Sequence, residues 1–250
     1  MSETFRCRAV VLGWRRLREA DVILRLVSDG EQGVFDAVAR GLRKSGSKLA
    51  GTFQPLNHVE AEFIVGKSMD VATWASLVEQ FPSVRTDLGA GAAAQALAET
   101  ILLIAPRGGD AGELYSLMLA ALQALEAGIP SGRVLLRSLH NVLAMQGRLP
   151  RLDCCARCGS REGARMVFLD PSEGGFRCGE CGAPVGGGKG IPMQALFLLA
   201  RIPQESGFEW MKDFDESTSR AALNVMIDFT AWILPRKPGS YGLLSKVGFE

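Results

Sequence analysis

From Phe5 to about Val78 the chain alternates between hydrophobic and polar positions with the two-residue period of half-buried β-strands. Apolar positions that alternate in this way lie on one face of a strand and pack together against a core. Turn residues divide the segment into five such runs. The apolar positions that define them are Cys7, Ala9 and Val11; Val22, Leu24 and Leu26; Val34 and Val38; Val59, Ala61, Phe63 and Val65; and the stretch from Met69 to Ala75.

Five short strands in a segment of this length predict a small closed barrel or a sandwich. Closing the sheet into a barrel removes the exposed strand edges, and the OB-fold is the five-stranded candidate. Proteins with this fold bind their ligands on strands 2 and 3 and on the loops after strands 1 and 4. We therefore predict an OB-fold over residues 1–81.

The pattern changes after Phe81 and Pro82 to Ala- and Leu-rich stretches with apolar residues at helical spacing. Asp110 and Glu113 have the spacing of a capping box, which opens a helix. We predict helices near residues 88–101 and over residues 110–128, 131–147, 192–202 and 216–234. The predicted buried stripes are Leu88, Ala92, Leu97 and Ile101; Leu135, Leu139, Val142 and Leu143; and Ala222, Val225, Met226, Phe229 and Ile233.

Composition and charge exclude several classes of protein. The 250 residues are 47% hydrophobic and 22% charged, which is a globular composition and not that of a disordered chain. The apolar runs are too short to cross a bilayer, and the charged start differs from a secretory signal, so we expect a cytoplasmic protein with no membrane partner. With 28 basic and 27 acidic residues the net charge is +1, so any binding of nucleic acid must come from a local patch.

Five of the six cysteines fall between residues 154 and 181. Cys155 and Cys158 form one C-x2-C pair, and Cys178 and Cys181 form a second pair nineteen residues further on. This spacing is typical of a four-thiolate zinc site, because each tight turn aims two sulfur atoms at one metal ion. We predict these four cysteines as ligands, while a pairing of Cys154 with Cys158 remains an alternative.

A zinc ion held by four cysteines has no open coordination position, so we expect a structural role for it. The alternative is four reduced thiols without a metal. Four thiolates and Zn²⁺ sum to −2, and nearby arginines either offset this charge or form a solvated face. The arginines concerned are Arg157, Arg161, Arg165 and Arg177. The expected fold is thus multidomain α+β, with a barrel over 1–81, an all-α domain over 82–151 and 191–250, and an inserted zinc module over 152–190.

A candidate nucleic-acid surface lies on the connections between the predicted strands. No acidic residue occurs between Asp36 and Glu60, and the Gly/Ser-rich segment that follows Ala39 carries four cations. Cations beside short hydroxyl donors suit phosphate oxygens, and an aromatic residue beside arginines suits base stacking, although Trp14 has the alternative of covering the core. The predicted DNA-binding residues are Trp14, Arg15, Arg16, Arg18, Arg40, Arg43, Lys44, Ser45, Ser47, Lys48 and Lys67.

We find no pattern that indicates an enzyme. His58 and His140 have no matching nucleophile motif, and the glycine-rich segments at residues 66–68 and 187–190 lack the first glycine of a phosphate loop. No local spacing marks a pair of carboxylates for acid/base work, so a hydrolase assembled from dispersed carboxylates is disfavoured.

Several segments in order resemble the RecO family of bacterial recombination mediators. They are residues 20–24 (ADVIL), 39–41 (ARG), 43–45 (RKS), 47–49 (SKL), 54–56 (QPL), 81–82 (FP), 152–159 (LDCCARCG), and the sequence from Asp170-Pro171 through Gly174-Gly175 to Cys178 and Cys181. The resemblance runs through most of the chain. Cys154 stands at the variable position of the L-D-x-C-x-x-C-G pattern.

This resemblance implies an OB-fold, a helical domain and a zinc module inserted in the latter, with no covalent catalysis. It also implies binding of single- and double-stranded DNA, annealing of complementary strands, and cooperation with RecR in loading RecA onto DNA coated by SSB. By the same resemblance, a groove of the helical domain takes the acidic, apolar C-terminal tail of SSB, and the protein works at the nucleoid. A competing hypothesis is a zinc-braced protein-interaction adaptor that does not touch DNA.

Overall fold

The computed structural model describes residues 3–109, 111–161, 166–184, 190–244 and 246. The chain divides into two compact units, residues 1–128 and residues 129–250. Among the described residues, the first unit contains five strands and three helices, and the second contains four helices and a small sheet. Within the described ranges, no helix combines the length and the apolar composition needed to cross a membrane.

The five strands of the first unit form a closed barrel, which confirms the predicted fold class. They are β1 (Thr4–Arg16), β2 (Val22–Ser28), β3 (Val34–Ala39), β4 (His58–Ile64) and β5 (Asp70–Glu79). Their order is β1-β2-β3-β5-β4. β1 pairs antiparallel with both β2 and β4, and the barrel closes where β3 pairs in parallel with β5, which is the five-stranded arrangement of an OB-fold.

The barrel interior is filled by alternate side chains of the strands, as the two-residue period predicts. Phe63 lies at the centre of an aromatic cluster, with ring centroids 5.1 Å from Phe5 and 5.2 Å from Phe35. Val65 was expected to share this apolar face, and that expectation is wrong. β4 ends at Ile64, and Val65 is 43% exposed in the turn that follows.

Three helices complete the first unit: α1 (Pro82–Thr86), α2 (Leu88–Ile104) and α3 (Gly112–Glu126). The Asp87 carboxylate accepts the Ala90 N–H at 2.7 Å and caps α2. Leu88 was expected on the buried stripe, but it is the first residue of α2 and is 80% exposed. The end predicted for α3 near residue 128 is confirmed, while the cap predicted at Asp110 lies outside the described residues and Ala111 is at the N-cap.

The second unit contains α4 (Ser131–Met145), α5 (Met193–Arg201), α6 (Glu216–Ile233) and the short α7 (Tyr241–Leu244). α6 packs against α4 and α5. The four apolar positions predicted to form the stripe of α4 are all buried, which confirms that expectation. On α6 the predicted positions are buried except Ile233, which is half-buried.

A small sheet accompanies the cysteine pairs and is missing from the sequence predictions. It consists of β6 (Met166–Asp170), β7 (Gly175–Arg177) and β8 (Gly190–Pro192), in the order β7-β6-β8. All its pairings are antiparallel. The part of the chain after the barrel is therefore not entirely helical.

A buried histidine couples the stability of the first unit to pH. The Nε2 atom of His58 lies 2.8 Å from the Tyr115 hydroxyl, and burial lowers the pKa of His58 although Glu79 opposes this shift. Near pH 6 the His58 side chain then binds more protons in the unfolded chain than in the folded chain. Its contribution to the free energy of unfolding is therefore complete above about pH 6.5 and is lost as the pH falls.

We expect the free energy of unfolding to drop between pH 7 and pH 5 by more in the wild type than in His58→Gln, up to about 1.4 kcal/mol per pH unit between the two pKa values. Urea unfolding at a series of pH values measures this difference. His140, whose pKa is also lowered by burial, is present in both proteins and cancels. Parallel pH profiles of the two proteins would contradict the assignment.

Candidate nucleic-acid interface and metal centre

Two connections of the barrel bring most of the predicted cations together. The turn between β1 and β2 and the connection between β3 and β4 meet at one side of the barrel. A first shallow concavity there is lined by Arg16, Leu17, Arg18, Glu19 and Arg43. A second is lined by Asp21, Arg40, Gly41, Lys44, Ser45, Gly46 and Ser47. We call the cations and hydroxyl groups of these two concavities the basic surface.

Hydrogen bonds between the two connections hold the basic surface together. The Arg43 N–H donates to the Ala20 carbonyl at 3.0 Å, and the Arg43 guanidinium donates to the Glu19 carbonyl at 2.9 Å. The Asp21 carboxylate accepts the Gly41 N–H at 2.8 Å. Residues far apart in sequence thus present their charges side by side, as binding to consecutive phosphates requires.

Trp14 is positioned differently from the cations. It is half-buried and packs against the barrel core, and its buried Nε1 atom has no hydrogen-bond partner among the described residues. A bulge between Val11 and Gly13 inserts one extra residue, so the inward positions shift from Val11 to Trp14. Trp14 therefore covers the core, which is the alternative to base stacking that the sequence leaves open. Stacking of Trp14 on DNA bases remains a prediction.

Three other predicted cations are exposed but do not line either concavity. Arg15 lies near the end of β1, Lys48 in the connection after β3, and Lys67 in the turn between β4 and β5. Their contribution to a DNA site remains a prediction.

The four predicted ligand cysteines lie together in the second unit. The Sγ atoms of Cys155, Cys158, Cys178 and Cys181 are all within 4.8 Å of one another. Two of the separations are 3.9 Å, between Cys155 and Cys181, and 3.7 Å, between Cys158 and Cys178. Tetrahedral zinc with Zn–S bonds of about 2.3 Å requires separations of about 3.8 Å. The thiol groups fit a zinc ion, and Cys154 lies outside this group.

Local backbone geometry explains how each pair forms its turn. Gly159 and Gly182, directly after the pairs, have left-handed φ values of 73° and 66°, which other residues adopt with strain. Their N–H groups donate to the carbonyls of Cys155 and Cys178 at 2.9 and 3.1 Å. A glycine directly after each pair therefore lets the chain turn back without strain.

The close grouping shifts the pKa values of Cys155 and Cys181 in opposite directions. Burial opposes ionisation of Cys155, but N–H groups, including that of Cys178, stabilise its thiolate and lower its pKa to about 6. Neighbouring thiols raise the pKa of Cys181 to about 12. Four thiolates this close repel one another, and a divalent cation at their centre removes the repulsion.

The arginines near the cysteines have different environments. Arg177 is buried, lies 3.6 Å from Asp170, and donates to the Cys181 carbonyl at 3.3 Å. Arg161 forms an exposed ion pair with Asp153, and Arg157 is exposed. Arg165 lies outside the described residues. The buried pair of Arg177 with Asp170 was not found by sequence reasoning, because nothing in the local pattern distinguishes a buried charge from an exposed one.

Comparisons with known proteins agree with this architecture. The family model described as "Recombination protein O N terminal" matches residues 1–81, and "Recombination protein O C terminal" matches residues 85–242. A "DNA repair protein RecO" of Cutibacterium acnes is 30% identical over 250 residues, covering 97% of this chain and 99% of the relative. Another, from Anaeromyxobacter sp. (strain K), is 34% identical over 195 residues, covering 76% and 74%. The chain therefore belongs to the RecO family of DNA repair and recombination proteins.

Proposed function

We propose that this chain is a recombination mediator in DNA repair that binds single- and double-stranded DNA through the basic surface of its barrel. The observation that carries the proposal is that hydrogen bonds join the β1–β2 turn to the connection between β3 and β4. Both segments carry cations, and they lie side by side on an OB-fold. Flexible cations and hydroxyl groups bind phosphate oxygens without reading base sequence. Such binding suits a protein that must act on any damaged sequence.

In this proposal the barrel over residues 1–81 binds DNA and brings complementary strands together. With RecR, the protein helps to load RecA onto single-stranded DNA coated by SSB. The helical parts, residues 82–151 and 191–250, provide the groove for the acidic, apolar C-terminal tail of SSB. The protein then works at the nucleoid in the cytoplasm, and no membrane is involved.

The proposed zinc module, residues 152–190, has a structural role. Its four thiols fit a zinc ion and would leave it no open position, so the metal would brace the fold and not activate a water molecule. We propose that the protein is not an enzyme: His58 and His140 are buried and lie outside the basic surface.

Fluorescence anisotropy with a labelled oligonucleotide, followed by strand annealing with and without SSB, tests the proposal. For about four to six phosphate contacts on a single strand, the slope of log K against log salt is expected to be about −3 to −4. Annealing should be faster with the protein than without it, on naked and on SSB-coated strands. If the protein does not bind the oligonucleotide at low salt, the result would instead favour the zinc-braced protein-interaction adaptor.

A further inference from the structure

Asp21 is an acidic residue that lies among the cations and hydroxyl groups of the basic surface. It lines the second concavity together with Arg40 and Lys44. A carboxylate at this place repels a phosphate backbone, so electrostatics alone predicts that its removal tightens DNA binding. The contacts of Asp21 point to the opposite result.

Asp21 joins the two connections through both its backbone and its side chain. Its carbonyl accepts the N–H groups of Leu17 at 3.0 Å and Arg18 at 3.3 Å, which closes the turn between β1 and β2. Its carboxylate accepts the Gly41 N–H at 2.8 Å, at the point where the connection leaves β3. Gly41 has a left-handed φ of 64°, so the chain reverses there in a conformation that other residues resist.

The far end of the connection between β3 and β4 is held separately. The Arg85 guanidinium donates to the Asn57 side-chain oxygen at 2.7 Å, and the Asn57 amide donates to the Thr52 carbonyl at 2.9 Å. Phe53 is buried in the barrel core. Ser45 and Lys48 therefore lie in a segment anchored at both ends. The hydrogen bond that the Gly41 N–H donates to the Asp21 carboxylate is a side-chain contact that anchors the beginning of this segment.

We propose that Asp21 is a positioning residue, whose carboxylate fastens the connection after β3 to the β1–β2 turn so that both concavities contact one phosphate backbone. This inference rests on the proposed DNA-binding function. Without the bond, the start of the connection is held to the turn only by the contacts of Arg43 with the Glu19 and Ala20 carbonyls. The order lost at this junction must then be restored on binding, which weakens affinity. The loss of order outweighs the removal of one repulsive charge.

Three single substitutions in the full-length chain separate positioning from electrostatics. Asp21→Ala removes the acceptor and the charge, Asp21→Asn keeps an acceptor oxygen, and Glu19→Ala removes a charge from the same surface. Glu19 is a matched control because its backbone carbonyl, and not its side chain, receives Arg43. Binding of a labelled single strand of DNA is measured across a salt series. Thermal unfolding of each variant is measured as well, so that binding is compared at a temperature at which all of the variants are folded.

We expect Asp21→Ala to weaken binding about three- to tenfold and to reduce the salt slope by about 0.7 to 1.4, the equivalent of one or two phosphate contacts. Asp21→Asn should stay within about twofold of wild type, and Glu19→Ala should bind at least as tightly with an unchanged slope. Equal or tighter binding by Asp21→Ala with an unchanged slope would overturn the inference. Absence of binding by the wild type would instead overturn the proposed function.

Amide hydrogen exchange without DNA provides a second measurement that does not require Asp21→Ala to fold. In the wild type the Gly41 amide should be protected, and in Asp21→Asn it should exchange faster because a neutral acceptor forms a weaker bond. Rapid exchange of Gly41 in the wild type would overturn the inference by itself.

Discussion

Cys178→Ser should reduce the zinc content from about one ion per chain to below about half and lower the thermal transition of the second unit by about 10 °C or more. The reason is that in the proposed zinc centre the metal would hold the two cysteine pairs together, and a site with three thiolates would bind it less tightly. The free energy of binding structural zinc is roughly 10–16 kcal/mol in small zinc-binding peptides, and it contributes directly to folding. Elemental analysis and calorimetry of reduced protein measure both effects.

Cys154→Ser is the matched control, because it removes a neighbouring thiol that lies outside the group of four. It should keep about one zinc ion per chain and an unchanged transition. Loss of zinc in Cys154→Ser together with its retention in Cys155→Ser would instead make Cys154 the ligand. Full zinc content in Cys178→Ser would contradict the four-thiolate centre.

Arg43→Ala combined with Lys44→Ala should weaken binding to all oligonucleotide sequences alike and reduce the slope of log K against log salt by about 1.4. Each cation lines one of the two concavities, so the double variant affects both. Two fewer phosphate contacts on a single strand release about 1.4 fewer counterions. The difference in affinity between the variant and the wild type should therefore narrow as the salt rises from about 50 to about 200 mM. Anisotropy titrations with oligonucleotides of different base composition measure both the loss of affinity and the change in slope.

The control removes the same charge from the other unit: Arg236→Ala combined with Lys237→Ala, two exposed positions after α6. This variant should keep the wild-type slope, since the net charge of the chain changes equally but the basic surface does not. If both double variants weaken binding to the same degree, a general charge effect replaces the local site. An effect that depends on base sequence would indicate base contacts instead.

The barrel was predictable from sequence because alternation is a local signal. Ala61 and Phe63 repeat with the period of a strand, and each such strand must bury its apolar face. The four-thiolate group was also predictable, since two short turns position four sulfur atoms. Both features depend on residues close together in the chain.

The remaining features depend on contacts between distant residues. Asp21 and Gly41 meet where β2 begins and β3 ends, and no periodicity in either segment indicates this contact. The bulge that turns Trp14 inward changes the period in the middle of β1. The strands β7 and β8 are short and contain Gly175 and Pro192, so neither shows enough alternation to predict a sheet.

The closure of the barrel has a consequence for its motion. β3 meets β5 through Ala37 with Asp70 and Val38 with Val71, and then ends at Ala39 while β5 continues to Glu79. A short parallel seam of this kind separates with less loss of pairing than the long antiparallel ladders do. We expect local opening of the barrel to occur between β3 and β5, directly beside the segment that carries the cations. Transient opening there would loosen the start of that segment while the antiparallel pairings of the barrel stay formed.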